Sequence, residues 1–201
     1  AIIKGELEGM IYQVGEYKDR DTYLRHCMKT VNDMERIVKD ILSAARMGGS
    51  DFKLERTDLD ISRMLQKACR KVMGRIEDKE MELRQDIQPD FHYEGDARLM
   101  EKVFANVLDN AVAYSPRGAV VTVTLQDGVL SVENSGIHIE QEDLEQLFTP
   151  FYRVDKSRNR NSGGSGLGLY ITKTILDHHG ISYSMENTEN GVRFTALFRL
   201  L

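Results

Sequence analysis

The chain is predicted to be an α+β protein in which a helical hairpin precedes a two-layer α/β sandwich. Over residues 1–47 apolar side chains recur at alternating gaps of three and four, which is the seam of a coiled coil. Beyond Met47-Gly48-Gly49-Ser50 the pattern changes to strand-like alternation interrupted by amphipathic helices. Two tight-turn pairs, Asp127-Gly128 and Asn190-Gly191, separate apolar runs as β-hairpins do.

In the hairpin the seam runs through Ile3, Leu7, Met10, Val14 and Tyr17. It resumes after the polar break Lys18-Asp19-Arg20-Asp21 at Leu24, Cys27, Val31, Met34, Val38, Ile41 and Ala45. One stripe per helix is poorly buried by a lone hairpin, whereas two copies bury both as a four-helix bundle. A homodimer through residues 1–47 is therefore predicted; the alternative is a hairpin packed on its own second domain. Residues 48–53 read as a hinge linker, and 54–201 as the second domain. There Phe52 to Asp58 suggests a short strand. Leu59 to Ile76 reads as a helix with Ile61, Leu65, Ala68, Val72 and Ile76 on one face, and Met81 to Ile87 alternates as a strand. Asp96 caps a helix running to about Tyr114. Strands follow at Val120 to Gln126 and Val129 to Glu133, then a helix at Glu142 to Leu147 and a polar loop at Lys156 to Ser165. A helix at Leu167 to His178 closes at Gly180, and a last hairpin joins Ile181 to Glu186 with Val192 to Leu200.

Composition narrows the function classes. With 41% hydrophobic and 29% charged residues, the 201-residue chain reads as soluble and globular. It holds neither a signal peptide nor a run of the roughly 18 apolar residues that a membrane helix needs. Ala1-Ile2-Ile3-Lys4 resembles the middle of a helix, so the chain reads as a piece of a longer protein whose other segments it does not reveal. A net charge of −5 argues against nucleic acid as a partner. Cys27 and Cys69 each sit in a helical pattern, as buried free thiols of a reducing compartment do, and no Cys/His spacing suggests zinc.

Four segments carry chemistry. Asn106 and Asn110 are one helical turn apart amid Val103, Phe104, Val107 and Leu108, and paired amide oxygens suit Mg²⁺ held together with substrate phosphates. Asn134, followed by the Gly136 turn, can hydrogen-bond the edge of a base lying against backbone. Phe148-Thr149-Pro150-Phe151-Tyr152-Arg153 is an aromatic cluster ending in a cation, suited to flank a phosphate site. Gly163-Gly164-Ser165-Gly166-Leu167-Gly168 opens a helix whose backbone N–H groups can approach phosphate oxygens, and Lys156, Arg158 and Arg160 upstream form a basic lid. It is not a Walker A loop, because no Gly-Lys-Ser/Thr follows. Taken singly, each segment is also compatible with capping, turn or core roles.

In this order and spacing the four segments resemble the N box, first glycine box, F box and second glycine box of the histidine-kinase ATPase domain. That domain belongs to the GHKL superfamily, which includes gyrase, a heat-shock chaperone family and MutL. The resemblance covers about Leu59 to Leu200, and the preceding hairpin resembles the dimerisation and phosphotransfer helices of bacterial sensor kinases. Within that family, Leu7-Glu8-Gly9-Met10, Gly15-Glu16-Tyr17-Lys18-Asp19, Asn134 to Ile139 and Pro150-Phe151-Tyr152-Arg153 resemble the VanS type of vancomycin-resistance sensor. The resemblance implies ATP and Mg²⁺ as cofactors, with Asn110 as the metal ligand and Asn106 supporting it. It also implies that Tyr114, Asn134, Gly136, Phe151, Arg153 and Lys156 line the nucleotide, with Gly164, Ser165, Gly166, Leu167 and Gly168 wrapping the triphosphate. A phosphoryl group would pass to a histidine on the dimerisation helix and then to an aspartate of a cytoplasmic response regulator. The chain would be the cytoplasmic part of a plasma-membrane sensor, without membrane contact of its own.

The sequence departs from the family pattern in four places. Asn134 stands where the family usually has Asp, His138 replaces a glycine, and Ala113 replaces a frequent basic residue. No His-Glu/Asp-x-x-Thr/Asn-Pro acceptor motif occurs, and His26, His92, His138, His178 and His179 lack its context. No catalytic residue is therefore assigned, and autophosphorylation of these residues alone is not expected. The competing readings are a clamp ATPase of the same superfamily and a nucleotide-deficient dimeric docking module.

Overall fold

The computed structural model describes residues 2–49, 52–154 and 165–199. Contacts divide the chain into two units, residues 1–43 and 44–201.

The first unit holds α1 (Ile2–Tyr12), a single 3₁₀ turn at Gly15–Lys18, and most of α2 (Arg20–Met47). The first helix ends at Tyr12, earlier than the seam through Val14 and Tyr17 implied. Gln13 and Gly15 have φ of 54° and 56°, a left-handed excursion that breaks the helix and that glycine adopts freely. Tyr17 then folds back on Gly9, where a Cβ would lie 2.5 Å from the ring. Tyr17 thus packs inside the turn of the hairpin. Leu24, Met28, Val31, Met34, Val38, Ile41 and Leu42 of α2 remain exposed in the single chain, as do Ile2, Leu7 and Ile11 of α1.

The second unit is an α/β sandwich. Asp60 accepts the Arg63 N–H and caps α3 (Ile61–Asp78), whose buried face is Ile61, Leu65, Ala68, Cys69, Val72 and Ile76. Asp96 accepts the N–H groups of Arg98 and Leu99 at the start of α4 (Ala97–Tyr114). A five-stranded sheet runs in the order β2-β4-β5-β7-β6. Its strands are β2 (Glu82–Ile87), β4 (Val120–Gln126), β5 (Val129–Ser135), β6 (Ser182–Asn187) and β7 (Gly191–Leu197). β2 pairs parallel to β4; the other pairs are antiparallel. A separate ribbon pairs β1 (Thr57–Asp60) with β3 (His92–Gly95). β1 begins later than the expected strand at Phe52, and β3 had no sequence forecast. Two shorter spans complete the order, α5 (Gln141–Gln146) and α6 (Gly168–His179), the latter closed by Gly180 at φ 69°.

Register explains where the core lies. Val123 faces Val132 and Leu125 faces Leu130 across β4 and β5, and Val132 and Leu130 face Phe194 and Ala196 of β7. All are buried, so one face of the sheet is a continuous apolar row against the helices. Each of the Val, Leu and Phe side chains in the row contributes roughly 1.5–3 kcal/mol of transfer free energy. Asn134 occupies the next place in that row, between Val121 and Val192, and is the polar exception at its end.

Candidate functional site

The site is built where α4 passes the end of that row. The apolar face of α4, through Met100, Val103, Phe104, Val107, Leu108 and Ala111, is buried. Asn106 and Asn110 are half-buried at its margin, while Asp109 points outward to Arg75. Asn106 Nδ2 donates to Gly168 O (3.0 Å) and weakly to Thr172 Oγ1 (3.5 Å), which ties α4 to the first turn of α6. Its Oδ1 has no partner among the described residues. The Asn110 side chain has no hydrogen-bond partner among the described residues, and Tyr114 is half-exposed at the helix end.

The end of α4 is held by two side chains that sequence reasoning missed. Pro116 has no N–H to reach the Val112 carbonyl four residues back. Lys79 Nζ donates to Val112 O (2.8 Å), Ala113 O (2.9 Å) and Ser115 O (3.0 Å) instead. Burial lowers the Lys79 pKa, so part of that gain is returned as desolvation. Ser115 Oγ donates to Ala111 O at 2.6 Å. The proline two residues past Tyr114 was the available signal that some other donor had to arrive.

Asn134, 7% exposed, donates through Nδ2 to Ser115 Oγ at 3.0 Å. Its Oδ1 has no partner among the described residues. Gly136 turns the chain at φ 81°, its N–H donating to Asn190 O (2.9 Å), and a Cβ there would lie 2.9 Å from the Pro116 ring. Where His138 replaces a glycine, Asn187 grips the backbone. The Ile139 N–H donates to Asn187 Oδ1 (3.0 Å) and Asn187 Nδ2 donates to Ile139 O (2.6 Å). Nothing in the sequence marked Asn187, because the contact spans 48 residues.

The aromatic and glycine segments meet through backbone. The Phe151 N–H donates to Gly166 O (3.0 Å), and a Cβ on Gly166 would lie 2.8 Å from Phe151 C. Gly166 has φ 72°, and Phe151 itself sits at φ 64° with its ring exposed. Leu167 anchors the loop in the core, and Ser165 Oγ accepts its N–H (3.3 Å). Arg153 is half-buried. α6 starts at Gly168 without a side-chain cap among the described residues, and helix starts of this kind can receive an anion. Lys156 and Gly164 lie outside the described residues, as do Gly163, Arg158 and Arg160.

Residues 95–201 match the family of histidine kinase-, DNA gyrase B-, and HSP90-like ATPases. The chain belongs to that family. Among curated relatives, sensor protein VanSB of Enterococcus faecalis is 35% identical over 192 residues, 94% of this chain and 43% of that protein. Sensor-like histidine kinase SenX3 of Mycobacterium tuberculosis is 32% identical over 168 residues, 80% of this chain and 41% of that protein. The chain thus spans less than half the length of these relatives. Among solved structures, histidine kinase ThkA in complex with response regulator protein TrrA matches with a TM-score of 0.76 at 25% identity. That match covers 97% of this chain and 55% of that one. The four segments therefore lie within a histidine-kinase type of ATPase domain, preceded by a helical hairpin.

Proposed function

We propose that these residues are the ATP-binding and dimerising part of a two-component sensor histidine kinase, of the VanS type in vancomycin-resistance signalling. The observation that carries the nucleotide reading is Asn134. Its side chain is buried at the end of the core row, its amide nitrogen is spent on Ser115, and its oxygen lacks a partner among the described residues. An amide oxygen that no described protein group satisfies stays open to an incoming donor, and the amino group of adenine is one.

The donor set also fits Mg²⁺ brought in with phosphate. Among the described residues no group of three or more His, Cys, Asp and Glu could hold a metal. Two amide oxygens, Asn110 with Asn106, suit an ion that keeps phosphates and waters as its other ligands. Bound Mg-ATP supplies the γ-phosphoryl group and the charge neutralisation that its transfer requires. Of the chain's own residues, Asn134 orients the base, Tyr114 and Phe151 flank it, and Arg153 meets the phosphates. Gly136 lets the base approach; Ser165, Gly166, Leu167 and Gly168 carry the backbone that wraps the triphosphate, with Gly164 and Lys156 joining by resemblance.

The exposed stripe of α1 and α2 supports a homodimer through residues 1–47, with 48–53 as hinge. ThkA and its regulator support a response regulator as partner. The five histidines are engaged elsewhere or lack the acceptor context, so the phosphoacceptor is assigned to the rest of the protein. No helix among the described residues is long and apolar enough to cross a membrane; the reading places this segment on the cytoplasmic side of a membrane-bound sensor.

Calorimetric titration of ATP with and without Mg²⁺, beside Asn110→Ala, tests the reading. Mg²⁺-dependent binding weakened at least about tenfold in the variant is expected, the value of one charge-assisted contact. Absence of binding by the unaltered chain would leave the docking module.

A further inference from the structure

Asn134 can turn either end of its amide toward a bound base, and the two ends demand opposite partners. The oxygen accepts from a 6-amino purine such as adenine; the nitrogen donates to a 6-oxo purine such as hypoxanthine. An aspartate at this position would have no such ambiguity. The neighbours of Asn134 resolve it. Ser115 has one hydroxyl hydrogen, and that hydrogen is used on the Ala111 carbonyl at 2.6 Å. The Ser115 oxygen can then only accept, and at 3.0 Å it accepts from Asn134 Nδ2. Were the amide reversed, two acceptors would face each other, or Ser115 would abandon Ala111 O inside the protein. Lys79 keeps Ser115 from moving away by donating to its carbonyl at 3.0 Å. Ser115 and Asn134 are both buried, at 4% and 7% exposure, so water cannot readily take over either role.

We infer that Ser115 is a positioning residue that fixes the amide of Asn134 with its oxygen toward the ligand, and so makes the site select 6-amino over 6-oxo purine nucleotides. The inference rests on the nucleotide reading above and adds to it the residue that sets base specificity. The relay runs from the Ala111 carbonyl through one hydroxyl to one amide, and each link dictates the polarity of the next.

The experiment is calorimetric titration of the chain with Mg-ATP and with Mg-ITP, which differ at position 6 of the purine, in four forms: unaltered, Ser115→Ala, Ser115→Thr and Asn134→Asp. The unaltered chain should prefer ATP by about tenfold or more, the value of one matched against one mismatched buried contact. Ser115→Ala frees the amide to turn, and the preference should fall to within about threefold, whereas Ser115→Thr retains the hydroxyl and the preference. Asn134→Asp accepts through either oxygen, so it should keep the preference, and adding Ser115→Ala to it should leave the ratio unchanged. This double variant separates amide orientation from general damage to the site. Equal ATP preference in the unaltered chain and Ser115→Ala overturns the inference, as does an equal loss of preference in both Asn134 and Asp backgrounds. Failure of the unaltered chain to bind either nucleotide overturns the nucleotide reading itself, and this inference with it.

Discussion

Replacing Lys79 with methionine keeps the stem of the side chain and removes the three hydrogen bonds at the end of α4. Those bonds reach Val112, Ala113 and Ser115 at 2.8, 2.9 and 3.0 Å. A hydrogen bond from a charged donor is worth about 1.5–3 kcal/mol when buried, but these three share one half-exposed ammonium, and its pKa is lowered by burial. Water can also reach part of the terminus once the ammonium is gone. The net cost is therefore set near one such bond, about 2 kcal/mol. For a unit of this size that lowers Tm by about 4–8 °C. Thermal unfolding followed by circular dichroism at neutral pH measures it. A second arm tests the cause: Pro116→Ala supplies a backbone N–H and frees Ser115, extended here at ψ 144°, to turn helical, which would bring that N–H to the Val112 carbonyl. In that background Lys79→Met should cost less by about 0.5–1 kcal/mol. A change below about 0.5 kcal/mol for Lys79→Met alone, or an equal cost in both backgrounds, would refute the view that orphaned carbonyls are what Lys79 is there to satisfy.

Three further outcomes are expected. His179 is buried as the neutral form, its Nε2 accepting the Asp96 N–H (3.0 Å) and its Nδ1–H donating to Ile175 O (2.7 Å), and burial holds its pKa below the ordinary 6.5. The unfolded chain then binds more protons below pH 6.5, so stability is present above that value and is lost as pH falls toward the folded pKa. The slope is at most about 1.4 kcal/mol per pH unit, readable in urea midpoints, and His179→Gln should flatten it. Gly166→Ala should weaken ATP binding by about tenfold, because left-handed strain of roughly 1–2 kcal/mol and the clash with Phe151 both displace the loop. Unaltered affinity measured by calorimetry would show that this backbone does not touch the nucleotide. Cys69, fully buried with its thiol pushed up to about 11, should resist a thiol reagent until the second unit opens. Rapid labelling in the native state, read by mass spectrometry, would contradict its burial.

Most of the sandwich was legible because its elements are long and periodic. α3 and α4 start at Asp60 and Asp96, whose side chains do what their residue type suggests, and Asp127-Gly128 makes the tight turn with both φ positive, 50° and 76°. His92-Tyr93-Glu94-Gly95 was not legible as a strand. It is short and polar, and only pairing with Thr57–Asp60 gives it that form. The end of α1 was obscured because Val14 and Tyr17 continue the apolar spacing after the backbone has left the helix. In the candidate site, the Asn and glycine positions announced themselves by local motif. Lys79, Ser115 and Asn187 did not, because each acts on residues that only the fold brings near: Lys79 lies 36 positions from Ser115, Ser115 lies 19 from Asn134, and Asn187 lies 48 from Ile139. Local patterning reports which backbone a residue prefers; it does not report whose carbonyl a distant ammonium will reach.

The parallel pairing of β2 with β4 has a consequence for how the molecule assembles. β4–β5 and β6–β7 are hairpins that close through short turns, whereas β2 meets β4 only after the intervening ribbon strand and all of α4 have been gathered. Closing that loop costs more chain entropy before any contact repays it, so β2 joins the sheet late. Changes confined to β2 are therefore expected to accelerate unfolding while leaving the folding rate nearly untouched, which denaturant-dependent folding and unfolding rates would check. A late edge strand also stays open to other chains in a crowded cell. β2 meets that hazard with Glu82, Arg84 and Asp86, charged and exposed along its length, which make it a poor template for a neighbour's backbone.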